Sequence, residues 1–144
     1  MFGDDPFNGL PLSIYAEHLF YSGMKQLVKG YDGDSFDFVK ITEANDFDFE
    51  QNGVFPYCDD CDNELSMRSR ESGMNIKVSI KSSSFIVWVL VIEQIFNKLE
   101  PGKTKTKLMN IFQDFMYSYS RMVDKDNIPL FNEDEKYQIY KYLD

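Results

Sequence analysis

Apolar residues recur every three or four positions in three stretches of the chain. The first stretch covers residues 11–29, with Pro11 near its start and Gly30 directly after its end. Proline and glycine at these places are typical of helix boundaries. The second stretch covers residues 106–123 and follows an expected basic turn at 103–107, and the third covers residues 133–143. We predict an amphipathic α-helix over each of the three stretches.

The last of these helices also carries a start signal. Asn132 is followed three residues later by Glu135, which is the spacing of a capping box. In that motif the two side chains bond reciprocally to the backbone of the first helical turn. Glu133 and Asp134 add negative charge at the positive end of the helix dipole. The sequence therefore predicts that this helix begins next to Asn132.

A fourth helix is expected in the most apolar part of the chain. Residues 85–92 are all apolar and mostly β-branched, so a buried strand is an alternative. Helical spacing continues to Leu99 with no turn residue inside, and Pro101-Gly102 follows. We favour a buried central helix over residues 85–99, capped by one of the three preceding serines. A bilayer span needs about 20 apolar residues, so this shorter run predicts a core element.

Alternation of apolar and polar residues predicts strands, because successive side chains of a strand point to opposite faces. The alternating segments are residues 35–39, 45–50 and 75–81, and a loop is expected from Pro56 to Asn63. Together with the helices, these segments predict an α+β fold. It would contain about four helices packed with a small, mostly antiparallel sheet.

Length and composition fit a single compact domain over residues 1–144. The chain is 43% hydrophobic and 16% aromatic. This apolar content can offset the entropy lost on folding, which excludes general disorder. Two domains with independent cores would need a longer chain. The N-terminus has no basic residues in front of an apolar run, so we expect no signal peptide and a cytoplasmic protein.

Negative charge is concentrated in one part of the chain. The protein has 24 acidic residues against 15 Lys and Arg, for a net charge of −9. Residues 31–64, called the acidic stretch below, hold eleven of the acids and one base, Lys40. The acidic stretch therefore carries −10, and the other 110 residues sum to +1. Such charge opposes binding to a phosphate backbone, so DNA and RNA are not expected as direct ligands.

The two cysteines, Cys58 and Cys61, form a CxxC pair within the acidic stretch. Zinc would need further Cys or His ligands, and the single histidine, His18, is 40 residues away. Flanking aspartates disfavour the thiolate that redox chemistry uses. We interpret the pair as free or structurally paired thiols, with a metal or redox site as an alternative. No cofactor is expected.

The sequence lacks the residue sets of common enzyme classes. A Ser or Cys nucleophile needs a neighbouring base, and His18 lies in the first predicted helix without such a partner motif. Neither of the glycine-rich phosphate-binding motifs occurs. The carboxylates could supply a catalytic pair, but chance neighbours are expected in a stretch this acidic. We predict a protein without enzymatic activity.

The acidic stretch is the best candidate for a binding surface. Aromatic residues alternate with its acids, and Phe and Tyr anchors surrounded by carboxylates suit a protein interface. The same aromatics could instead form the core side of a small sheet. The residues expected to contact a partner are Asp46, Asp48, Glu50, Phe55, Tyr57, Asp59, Asp60 and Asp62.

These features predict a non-catalytic inhibitor or immunity protein that masks a basic protein, with a bacterial nuclease toxin as the favoured target. Nuclease active sites are positively charged because they hold a phosphate backbone. One alternative is a phage-type mimic of DNA charge that blocks a restriction or CRISPR effector, although such mimics spread their carboxylates over a longer surface. The others are a small metal- or thiol-dependent domain and an adaptor domain that binds through a hydrophobic surface.

Overall fold

The computed structural model describes residues 6–7, 10–31, 33, 36–40, 42–43, 54–57, 64–69, 73–123 and 128–143. The α-helices are α1 (Leu12–Leu27), α2 (Ile80–Lys98), α3 (Lys103–Ser118) and α4 (Glu133–Leu143). The strands are β1 (Pro6–Phe7), β2 (Leu10–Pro11), β3 (Val28–Lys29), β4 (Asp37–Lys40), β5 (Thr42–Glu43), β6 (Val54–Tyr57), β7 (Leu65–Arg68), β8 (Asn75–Val78) and β9 (Met122–Val123). The described elements form an α+β fold, as the sequence predicts.

Helix α2 lies at the centre of the fold and packs against α1, α3 and α4. Twelve of its 19 residues are buried. The expectation of a buried central helix is therefore confirmed, and the strand alternative is wrong. By length and composition α2 could cross a membrane, but 67% of its most apolar window is buried inside the protein. Its apolar surface thus supplies the core, which explains why the segment is hydrophobic on all sides.

Aromatic side chains extend this core on two sides of α2. Trp88 meets Phe20 of α1 with ring centroids 5.9 Å apart. On the other side, Phe85 contacts Phe115 of α3 at 5.7 Å and Phe131, just before α4, at 5.2 Å. Such edge-on and tilted pairs add to the free energy gained from burial alone. The two contacts hold α1 on one side of α2 and α3 on the other.

A three-stranded antiparallel sheet, in the order β3-β7-β8, packs beside the helices. Met67 at its centre pairs with Val28 on one neighbouring strand and with Ile76 on the other. The side chains of Val28 and Met67 are buried, at 3% and 1% exposure. The strand predicted at residues 75–81 is thus confirmed in its first half, whereas its partner β7 was not foreseen.

The start of α2 differs from the sequence expectation. The helix begins at Ile80 rather than Phe85, and its N-cap is Ser79 rather than one of the serines at 82–84. The Ser79 hydroxyl accepts a bond from the Ser82 N–H, and the Ser82 hydroxyl accepts one from the Ser79 N–H, both at 2.9 Å. This reciprocal pair satisfies backbone donors that a free helix end would leave unbonded, so it fixes the boundary.

The other helix boundaries show where pattern reading succeeds and fails. Helix α4 covers the predicted residues, and Asn132 and Glu135 form the predicted capping box, with bonds of 2.8 and 3.0 Å. The expected basic turn at 103–107 is instead the first part of α3, which starts directly after Gly102. At its other end α3 stops at Ser118, and a short 3₁₀ turn (Tyr119–Arg121) follows.

Candidate protein-binding surfaces

Most of the predicted contact residues lie outside the described part of the chain. These are Asp46, Asp48, Glu50, Asp59, Asp60 and Asp62, together with the two cysteines Cys58 and Cys61. The strand predicted at residues 45–50 falls there too. Phe55 and Tyr57 are placed by their backbone in β6. The predicted interface therefore stays a prediction, and what can be described is how the acidic stretch joins the core.

Strand β6 carries Phe55 and Tyr57 and pairs in antiparallel fashion with β4. Phe55 is opposite Val39, and Tyr57 is opposite Asp37. Pro56 is buried in this strand, so the loop expected from Pro56 onwards begins later than predicted. A proline has no N–H for a ladder bond and fits an edge strand, and within the described residues β6 pairs with β4 alone.

The beginning of the acidic stretch is anchored by an aromatic cluster. Phe36 is 7% exposed and packs edge-on against Phe20 of α1, with ring centroids 5.0 Å apart. Its backbone N–H donates to the hydroxyl of Tyr21 at 3.0 Å, and its ring also contacts that of Tyr31. Phe36 is thus a core residue, which is the plainer of the two interpretations of the aromatics in this stretch.

The end of the acidic stretch is anchored as well. Leu65 follows it directly and is buried in the core, at 3% exposure, while Glu64 is exposed. Between the two ends, β6 lies against α2, and β5 pairs with β9 after α3. The acidic stretch is therefore attached to the helical core at several points along its length, and does not hang from one end as a tail.

A groove between α3 and α4 is a surface that the sequence analysis missed. It has a volume of about 630 Å³ and is lined by Phe96, Met109, Phe112, Gln113, Met116, Tyr117, Tyr119, Tyr140 and Leu143. Tyr117 is 80% exposed and Tyr140 is 54% exposed. Exposed tyrosine and methionine side chains are enriched in protein interfaces. The groove could thus accept apolar side chains of a partner.

A signal for this groove is present in the sequence of α3. The core face of the helix uses Leu108, Ile111 and Phe115, all buried. Phe112 and Met116 are apolar too, but they line the groove. The apolar arc is therefore wider than one core contact requires, and a wide arc indicates a second apolar face. The sequence analysis assigned all five residues to a single buried face.

The lysines at the start of α3 do not form one patch. Lys103 and Lys107 line a shallow hollow with Thr106 and Asn110. Lys105 does not line that hollow, since residues two apart on a helix point in different directions. In the described ranges, no group of three or more His, Cys, Asp or Glu side chains is placed to hold a metal ion.

Comparison of the chain with protein-family models, with characterised proteins and with solved structures gives no match. The function is therefore argued from the residues of this chain and their arrangement.

Proposed function

We propose that this protein is a non-catalytic inhibitor, of the immunity-protein type, that binds and neutralises a basic protein through its acidic stretch. The observation that carries the proposal is the distribution of charge: the acidic stretch holds −10, while the rest of the chain sums to +1. Concentrated charge of one sign steers a partner of the opposite sign and raises its association rate. The inhibitor would act in the cytoplasm.

A nuclease toxin is the class of target that this charge fits best. A nuclease binds a polyanion, so its active site presents positive charge that carboxylates can occupy without any chemistry of their own. The anchoring of the acidic stretch at Phe36, Pro56 and Leu65 supports this proposal. Charges attached to a folded core lose less freedom on binding than charges on a free tail.

The proposal is tested with a triple substitution in the acidic stretch, D46N/D48N/E50Q. The partner is first captured from native lysate, identified by mass spectrometry and purified. We expect the triple variant to associate at least about tenfold more slowly at low salt, with a weaker dependence on salt, because steering depends on unscreened charge. Stopped-flow fluorescence gives both quantities, and circular dichroism checks that the fold is kept.

The matched control, E17Q/E100Q/D134N, removes the same charge from three exposed positions outside the acidic stretch. It should change the association rate less than about twofold if location, and not net charge, decides. Equal association rates for the triple variant and the unmodified protein at low salt would show that this acidic segment is not the interface.

An adaptor domain that binds through hydrophobic surface is a second candidate function. The observation that favours it is the groove between α3 and α4, with Tyr117 and Tyr140 exposed at its rim. The same captured partner separates the two functions. If Y117A/Y140A weakens binding at high salt while D46N/D48N/E50Q leaves it unchanged, the adaptor function is correct, since apolar contacts are not screened by salt.

A further inference from the structure

The outer face of the β3-β7-β8 sheet carries three exposed cationic side chains, Lys29, Arg68 and Lys77. The strand register places Ser66 opposite Lys29 on one side and opposite Lys77 on the other. Arg68 follows two residues after Ser66 on β7, so it lies on the same face. We call this surface the basic face. The opposite face of the sheet is directed into the core by Val28, Leu65, Met67 and Val78.

The three cationic groups are close enough to act together. Strands in a sheet lie about 4.8 Å apart, so the backbones of Lys29 and Lys77 are separated by about 10 Å. The Arg68 backbone is about 7 Å along β7 from Ser66. Arg68 is held in place because its Nε donates to the carbonyl of Gly73 at 3.0 Å. Within the described residues, none of the three cations takes part in a salt bridge.

The sign of this surface is opposite to that of the molecule. In the described strands, Glu64 is the one acid on the same face, so the face has a positive charge on a chain of −9. Three cations contact few phosphates, and affinity for nucleic acid grows with the number of phosphates neutralised. The basic face is also an open sheet surface and not a cleft that would enclose a small anion. Its complement is a concentrated set of protein carboxylates.

We propose that the basic face binds the acidic stretch of a second copy of this protein. The chain itself carries the complementary charge, −10 within 34 residues. Because the contact joins two different surfaces, each copy keeps one surface of each kind, and copies associate head to tail. The contact relies on exposed charges, so it is weak and disappears when salt screens them. This inference needs the charge of the acidic stretch, but it does not need the proposed target.

The experiment is sedimentation velocity of the full chain over a range of concentrations. At about 20 mM salt, where charges interact over roughly 20 Å, we expect the sedimentation coefficient to rise with concentration. At about 300 mM salt the rise should be lost, since the screening length falls to roughly 5 Å. Sedimentation that is independent of concentration at low salt would overturn the proposal.

Two variants identify the surfaces. One removes the basic face, K29Q/R68Q/K77Q, and the other neutralises the six predicted contact acids of the acidic stretch to Asn and Gln. Each variant alone should show at least about a tenfold lower association constant. Their equimolar mixture should form a one-to-one dimer and stop there, since each variant keeps one of the two surfaces. A mixture that stays monomeric would contradict the head-to-tail contact.

The control for the basic face is K98Q/K103Q/K141Q, which makes the same charge change at three exposed positions elsewhere. It should still associate as the unmodified protein does, and loss of association in the control would show that net charge alone decides. If the variant with six neutralised acids does not fold, the basic-face variant is added to the unmodified protein instead. It should then shorten the oligomers by capping one end, and unchanged oligomers would overturn the proposal.

Discussion

At the residue scale, a buried polar network joins the starts of α2 and α4. The Ser79 hydroxyl donates to the Glu135 carboxylate at 2.5 Å, and the Ser82 hydroxyl donates to the Gln138 side-chain carbonyl at 2.6 Å. The Ser79 N–H also donates to that carbonyl at 3.1 Å. The residues that cap α2 therefore also bind α4. One network fixes both the boundary of a helix and the docking of its neighbour.

Glu135 is the residue where this network can be tested. It is 7% exposed, and besides Ser79 it accepts the backbone N–H of Asn132. We predict that E135A lowers the free energy of unfolding by about 1–3 kcal/mol, because it removes one side of a capping box and leaves a buried hydroxyl without its acceptor. Urea unfolding followed by circular dichroism measures the change.

Glu133 provides the matched control for this prediction. It lies in the same first turn of α4, but its side chain is 90% exposed and pairs with Lys136 at 3.1 Å. We expect E133A to change stability by less than about 1 kcal/mol, as is usual for an exposed ion pair. Equal losses in the two variants would mean that the charge at the helix start matters, and not the buried network.

At the element scale, the packing of α1 on α2 depends on a glycine. A Cβ built on Gly23 would lie 2.9 Å from Cγ1 of Val87, which is closer than side-chain carbons approach each other. Val87 is 1% exposed and β-branched, so its side chain has little freedom to move aside. Gly23 therefore lets the two helices approach at this point, although glycine lowers helix propensity.

We predict that G23A destabilises the protein by about 1–3 kcal/mol through overpacking, despite a gain in helix propensity of about 1 kcal/mol. The double variant G23A/V87A should lose less than the sum of its single variants, because the clash is then absent. Thermal and urea unfolding of all four proteins give the coupling energy. Additive losses would show that Gly23 and Val87 do not restrict each other.

The elements also show what the sequence can and cannot reveal. Helix α4 is predicted correctly because its apolar spacing and its capping box are both local. The start of α2 is not, since several serines are equally good N-caps by type. Ser79 is selected by its tertiary bond to Glu135. The groove was missed for a related reason: spacing shows that Phe112 is apolar, but not whether the neighbouring helix covers it.

At the scale of the whole molecule, charge is separated from the core. The acidic stretch is attached through Phe36, Pro56 and Leu65, which are buried, and most of its acids belong to the segments between these anchors. The amount and position of the charge could be read from the sequence. The anchors could not be distinguished from the other aromatic and apolar residues of the stretch, because alternation alone does not identify which positions reach the core.

This separation predicts an effect of salt on stability. Carboxylates concentrated in one stretch repel one another in the folded protein, and unfolding lets them move apart. We expect the free energy of unfolding to rise by roughly 1 kcal/mol, or about 4 °C in Tm, when salt is increased from about 10 to 150 mM. In the D46N/D48N/E50Q variant this rise should be smaller, and its stability at low salt should be higher.

Differential scanning calorimetry at several salt concentrations checks both effects, with E17Q/E100Q/D134N as the control for net charge. If binding and not stability maintains the acids, the triple variant is more stable and a weaker binder, which is the trade-off expected of a functional surface. A triple variant that is less stable than the control at low salt would mean that these carboxylates make stabilising contacts in the fold. In that case their charge would serve folding, and the proposed interface would have to lie elsewhere.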